Sequence, residues 1–405
     1  MDQPRRRVAY IMSRFPKLSE TFVLDEMIAM QEWHDVEVFP LWRHNEPVVH
    51  NEAIPFVERA HFRSWYNARV VNDNLYWLSR SPLQYIRVLF EALISNKGSL
   101  RFFAAALALW PVVVSFAREL GKLRIDHVHA HFASHPALAA WILGRLTGVT
   151  WSFTAHGSDL HRNQTMLDEK VADSKFVIAI SRYNKQFIID HSSSTGDGIE
   201  VIHCGVPEHS GQMSAGMSER IFQICCTGTL HEVKGQAYLL EACALLENEE
   251  WRCHLIGEGP DRTKLQDKVR ELGLEDKVIF HGSLRKDEVL KVLQSVDVVC
   301  APSVLTKSGR REGIPVALIE AAALGVPLVA SRISGIPELV RDGETGLLTE
   351  PGEPLSIATA LTALQVSKER CHQLGSAARC LVQKEFNVRR NAGLLAELIS
   401  RDAKC

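Results

Sequence analysis

At 405 residues the chain is too long for one comfortable hydrophobic core and long enough for two domains. It is 46 % hydrophobic and 23 % charged, as ordinary globular proteins are, and its formal net charge of −2 argues against a broad nucleic-acid footprint. All nine cysteines lie at or after Cys204 and none forms a Cys-x-x-Cys pair, which disfavours a disulfide framework or zinc ribbon and suits a reducing compartment.

The start is basic and lacks the apolar stretch of a signal peptide, so a cytoplasmic protein is expected. Residues 8–12 form a buried strand by pattern, followed by a turn, a helix from about Ser19 to Glu32 and a second strand at 36–41. From Pro47 to about Asn96 no firm period emerges, and helices then dominate up to Leu123. Within them, residues 102–117 are almost wholly apolar and contain Pro111. Sixteen residues fall short of the roughly 20 that span a bilayer, so a core helix pair kinked at the proline is expected, with contact at a membrane surface as the alternative.

Alternation returns at 126–131, where His127, His129 and His131 share one face of a strand. Such a set can bind zinc, but no carboxylate-rich partner motif accompanies it, which favours a structural or cleft-lining role. A helix at 137–146 and strands at 151–155, 176–180 and 200–203 follow, then Pro207 and a small polar stretch read as a linker over 207–220. The second half restarts the rhythm, with strands at 221–227, 251–256, 278–281, 297–301 and 327–331 separated by helices. Short apolar strands alternating with helices indicate doubly wound α/β domains, spanning 1–206 and 221–385. A final helix within 386–405 could pack back on the first domain. Two such halves leave a cleft, a common place for a ligand.

The chemistry concentrates between Glu312 and Glu320. Pro315 suits the first position of a helix that stops at Gly325. Glu320 is that helix's only polar side chain, and burying it costs several kcal/mol unless something hydrogen-bonds to it. Paired hydroxyls of a ribose would do so; a basic neighbour is the plainer alternative. Glu312 and Gly313 lie just ahead of the helix, where backbone N–H groups and the dipole favour a phosphate.

Four motifs in order, Gly228-Thr229-Leu230-His231-Glu232-Val233-Lys234-Gly235, Gly257-Glu258-Gly259-Pro260, the 312–320 segment and Gly335-Ile336-Pro337-Glu338, resemble those of family 4 glycosyltransferases. In the first half, residues 13–22, 127–132, 154–159 and 203–206 resemble a bacterial branch that includes colanic acid and amylovoran-type exopolysaccharide glycosyltransferases. The resemblance implies the GT-B fold, two Rossmann-like domains facing across a cleft. It implies a retaining transfer of sugar from a nucleotide diphosphate sugar to a glycan acceptor, by the branch resemblance a growing lipid-linked exopolysaccharide unit, with no metal and no other cofactor.

By the same resemblance Glu320 holds the ribose hydroxyls, and Glu312 meets the transferred sugar. Gly313, Ile314 and Pro315 approach the sugar and diphosphate with their backbone, Lys234 neutralises the leaving diphosphate, and Thr229 and Glu258 complete the donor site. His156 positions the sugar and stabilises charge, and Lys17 and Glu20 are candidate acceptor contacts. Family members usually carry arginine where Thr229 stands, and a hydroxyl replaces neither its charge nor its fork geometry. Either Arg310 or Arg311 compensates, or diphosphate binding is weakened. An epimerase or phosphorylase on the same fold, or a partner subunit that binds without turnover, are the rival readings.

Overall fold

The computed structural model describes residues 4–17, 20–44, 49–208, 221–248 and 250–401. Most of the expected linker, and Leu18 and Ser19 in the first turn, lie outside them. The chain divides into two compact units, one of Met1–Ile202 with Ala392–Cys405, the other of His203–Asn391.

The first unit is built on a parallel sheet of β1 (Arg7–Phe15), β2 (Asp35–Arg43), β3 (His127–His131), β4 (Thr150–Ala155), β5 (Phe176–Ala179) and β6 (Ile199–Val201), in the order β2-β1-β3-β4-β5-β6. Its apolar strands are buried on both faces, as parallel sheets require: residues 8–12 of β1 are at most 1 % exposed. The order reverses between β1 and β3, the place where ligands gather at the carboxyl ends of an open α/β sheet. One face of the sheet packs on Leu395, Ala396 and Ile399 of the last helix.

Between β2 and β3 the aperiodic stretch forms helices Ile54–Arg59, Ala68–Arg80 and Pro82–Ser95. Residues 102–117 are not a kinked pair but the middle of one 24-residue helix, Leu100–Leu123, with Pro111 inside it. The proline deprives the Leu107 carbonyl of its donor, yet Leu107 lies on the exposed stripe, 47 % accessible, where water can serve. Asn74 donates to the Pro111 carbonyl at 2.9 Å and ties the neighbouring helix to it. Among the described residues this is the one helix long and apolar enough to cross a membrane. Its Leu109, Trp110, Val113 and Phe116 belong to the unit's core. The helices also turn apolar stripes outward: Leu75 on one, Leu83, Ile86 and Phe90 on the next, Leu100 and Leu107 on the third, all 47–84 % exposed. Arg80, Arg87, Lys97 and Arg101 are exposed beside them.

The second unit's parallel sheet contains β7 (Phe222–Thr227), β8 (Trp251–Ile256), β9 (Val278–Gly282), β10 (Val298–Ala301), β11 (Leu328–Ser331) and β12 (Leu347–Thr349). Their order, β12-β11-β10-β7-β8-β9, is that of a dinucleotide-binding Rossmann sheet, with the reversal between β7 and β10. Strand β12 is too short to register in the apolar pattern. Helix Val316–Ala323 buries Leu318, Ile319, Ala321 and Ala322 completely against β10 and β11.

Candidate functional site

In the second unit the loops that leave β7 and β10 meet at the reversal point. Gly235, at φ 69°, is where they touch: a Cβ there would lie 1.8 Å from the Pro302 carbonyl oxygen. Gly228 ends β7 at φ 145°, and a Cβ on it would come within 3.0 Å of the Lys234 stem. The two glycines thus seat Lys234 between the loops. Its ammonium donates to Glu312 Oε2 at 2.6 Å, with the side chains only 19 % and 18 % exposed. The structure therefore pairs two residues 78 positions apart that the sequence nominated separately.

Helix Val316–Ala323 begins one residue later than expected, because Pro315 is the N-cap, with ψ 124°, rather than the first helical residue. A proline also keeps Ile314 out of the helical region, so the chain arrives extended. Glu320 is 7 % exposed and has a partner within the chain. It sits one turn beyond Val316 and Ala317, which form the helix's only half-exposed stripe.

Thr229 is exposed at the mouth of the β7 loop. Arg310 Nη1 lies 3.0 Å from His231 Nε2, which places it against the Lys234 loop. Glu258 is exposed and paired with Arg262. His203 Nε2 lies 3.1 Å from Glu338 Oε2, which brings together two further motifs, 203–206 and 335–338.

In the first unit, Lys17 donates to Glu20 at 2.5 Å, and both line a small pocket with Met12, Phe15 and His50 beside the β1–β3 reversal. The histidines of β3 face a matching period-two row on β4. His127 bonds Thr150 and Ser152, His129 bonds Ser152 and Thr154, at 2.7–3.0 Å. His131 Nδ1 reaches His156 Nε2 at 3.1 Å, and His131 Nε2 reaches Glu26 Oε1 at 3.2 Å. The Tyr10 hydroxyl donates to the same carboxylate oxygen at 3.1 Å. The β4 row Thr150, Ser152, Thr154, His156 was legible as an alternation; Glu26, on helix Thr21–Met30, carried no such signal.

Burial holds His156 well below the ordinary histidine range, with the neighbouring His131 and His129 adding to it, and pushes His129 down to about 3. Burial pushes the Glu26 carboxyl up, but His131, His129 and the Tyr10 hydroxyl together outweigh it, and the net shift is downward. Glu26, His129 and His131 hold donor atoms within 4.8 Å of one another, as a metal site would. Both nitrogens of each histidine are nevertheless engaged by protein side chains.

His156 is further fixed through its backbone. Asp159 accepts from the amides of Ala133, His156 and Gly157 at 2.6–3.2 Å. Phe22 and Phe132 flank its ring at centroid distances of 4.8 and 4.7 Å, and Phe132 holds φ 81°, a strained value typical of functional sites. Nearby, Lys170 is 1 % exposed and donates to the carbonyls of Ala133 and Thr165 at 2.8 and 3.1 Å. Its burial brings the amine down to about 7, against the opposing pull of Glu169 and Asp159.

Comparison with known proteins identifies the family and the fold. Residues 20–209 match a family model described as Glycosyltransferase Family 4, and residues 215–380 match one described as Glycosyl transferases group 1. The chain is 26 % identical to the amylovoran biosynthesis glycosyltransferase AmsK of Erwinia amylovora, covering 98 % of this chain and 99 % of that one. It is 24 % identical to the putative colanic acid biosynthesis glycosyltransferase WcaL of Salmonella typhimurium, over 97 % and 99 %. Among solved structures, Anabaena HepE in complex with UDP-glucose superposes with a TM-score of 0.74 at 18 % identity, over 97 % of this chain and 99 % of that one. The lipopolysaccharide outer core galactosyltransferase WaaB gives 0.66 at 17 %, over 96 % and 99 %. These likenesses show the GT-B fold.

Proposed function

We propose, from the premise that the chain belongs to the glycosyltransferases of the family 4 and group 1 type, that it transfers a sugar with retention from a nucleotide diphosphate donor to a glycan acceptor. The observation that carries the reading is the Lys234–Glu312 pair at the reversal point of a Rossmann sheet, beside the start of a helix whose only acid is Glu320. Glu320 takes the ribose hydroxyls. The diphosphate lies at the amide groups of Gly313, Ile314 and the helix start, where orphan N–H groups favour anions.

On donor arrival Lys234 exchanges the Glu312 carboxylate for diphosphate oxygens, and Glu312 turns to the sugar hydroxyls. The bond from the anomeric carbon to the diphosphate oxygen breaks as the acceptor oxygen attacks on the same face. The acceptor proton passes to the leaving diphosphate. Lys234, helix amides and Arg310 supply the positive charge, so no divalent cation is required. Arg310, held beside the lysine loop, stands in for the arginine that Thr229 replaces. His156 of the first unit contacts a sugar hydroxyl, and Lys17 and Glu20 meet the acceptor.

The outward apolar stripes of the 68–107 helices, with four exposed cations beside them, support contact with an anionic membrane surface on the cytoplasmic side and a lipid-linked acceptor. HepE, solved with UDP-glucose, supports a uridine diphosphate donor. The test is incubation with a panel of uridine and guanosine diphosphate sugars, following release of free nucleotide. Slow donor hydrolysis by one sugar is expected. Isomerisation of the sugar nucleotide without acceptor, a requirement for inorganic phosphate, or no turnover with any donor would overturn the reading.

A further inference from the structure

Among the described residues four besides glycine hold a positive φ, and one side chain braces two of them. Phe132, at 81°, turns the chain out of β3, and Met166, at 60°, turns it into helix Leu167–Asp173. A bulky side chain persists at such a φ only where its surroundings over-determine it. Lys170 Nζ donates to the carbonyl of Ala133, next to the first, at 2.8 Å and to that of Thr165, next to the second, at 3.1 Å. Neither carbonyl accepts from a backbone amide among the described residues, so the amine is what satisfies them. The other backbone groups of the first turn are matched as well. The Phe132 amide donates to the Thr154 carbonyl at 2.9 Å, the Phe132 carbonyl accepts from the Ala137 amide at 3.3 Å, and Asp159 takes the Ala133 amide.

Counting protons fixes the state in which Lys170 does this. It is 1 % exposed, and among the described residues those two carbonyls are its acceptors and no carboxylate forms an ion pair with it. A neutral amine has two N–H groups, one for each carbonyl. An ammonium has three, and the third would be buried without an acceptor. Asp159 from helix Ser158–His161 and Glu169 from its own helix favour the ammonium. His135 of helix His135–Thr147, held down to about 4 by burial first and then by the lysine, brings no charge of its own at neutral pH. Burial outweighs the two acids and brings the amine down to about 7.

We propose that Lys170 is a positioning residue which, as a neutral amine, ties the two strained turns to each other and keeps Phe132 packed on His156, so that an added proton loosens the carboxyl end of β3. The bearing on turnover rests on the transferase reading above; the clamp itself does not.

The test compares the full-length wild type with Lys170→Gln, whose amide offers two N–H groups and no charge, and Lys170→Arg, which keeps the charge at every pH. With the donor found in the panel, wild-type kcat should fall about tenfold per pH unit below about 7, with the donor KM nearly unchanged. Lys170→Gln should lose that acid limb, and Lys170→Arg should be slow throughout, about as the wild type is in acid. Amide exchange in peptides covering 131–137 and 164–170, corrected for its intrinsic dependence on pH, should quicken in the wild type as the pH falls through about 7.

A limb that survives in Lys170→Gln, an arginine variant as fast as the glutamine one, or exchange in both turns indifferent to pH overturns the proposal. If neither variant folds, the wild type decides through carbon-13 spectra of labelled lysine. A resonance titrating near 7 supports the clamp, and lysines that all titrate above about 9 overturn it. A clamp that titrates in a protein without donor turnover would refute the transferase reading instead.

Discussion

Replacing Lys234 by Met removes a charge from a pair held at 2.6 Å with both side chains about four-fifths buried. At an effective dielectric of about 20 the direct attraction is about 6 kcal/mol, but desolvating both ions offsets most of it. What remains should be a coupling of about 0.5–3 kcal/mol, the range for residues in one ion-pair network. Lys234→Met alone leaves Glu312 buried and unpaired and should cost more than the double variant with Glu312→Gln. Native-state hydrogen exchange on peptides from β7 and β10 reads the second unit's stability without interference from the first. A four-protein cycle with a coupling below about 0.5 kcal/mol would refute the idea that this pair holds the two loops together. In the same series, Glu312→Gln should tighten nucleotide diphosphate binding, since Lys234 no longer has a carboxylate to leave.

Glu320→Ala should abolish binding of a uridine diphosphate sugar in calorimetry, and should lower the circular dichroism melt because it strips a buried acid from its partner within the chain. Gly235→Ala forces a methyl toward the Pro302 carbonyl at a positive φ and should cost about 2 kcal/mol or more and lower kcat, checked by thermal melting and donor turnover. Lys170, whose folded value is about 7 against about 10.4 in an unfolded chain, makes the unfolded state bind more protons between those values. First-unit stability should therefore rise with pH from about 7 toward 10, measured by urea midpoints, and Lys170→Met should remove that slope while leaving two carbonyls undonated. Leu83→Ser with Phe90→Ser should reduce co-sedimentation with phosphatidylglycerol vesicles and leave hydrolysis of the soluble donor unchanged.

The second unit was largely legible in the sequence because its strands are short apolar runs and its loops begin with glycine, both consequences of a sheet buried on two faces. The 312–320 segment was legible for the opposite reason, an acid where no acid is comfortable. The 54–95 helices were not, since Leu75, Leu83, Ile86 and Phe90 face outward and blur the period that burial normally writes. Pro111 argued for a break that an exposed Leu107 carbonyl makes unnecessary. His131 was visible as one of three histidines, but its partners come from a helix 105 positions earlier and a strand 25 positions later. Such pairings leave no local trace. Lys234 and Glu312 were each nominated, yet their 2.6 Å pairing across 78 positions is visible only in the fold, where the Gly235 loop meets Pro302.

The strand order of the second unit has a consequence for the nascent chain. β7 is synthesised first yet ends in the middle of the sheet, and it acquires β8 on one flank long before β10 arrives on the other. Until then its free backbone edge is open to any other strand, the kind of exposure that seeds aggregation. Fragments terminated between 246 and 297 should accordingly be insoluble, although they contain the lysine, whereas those that extend past the 316–323 helix close that flank.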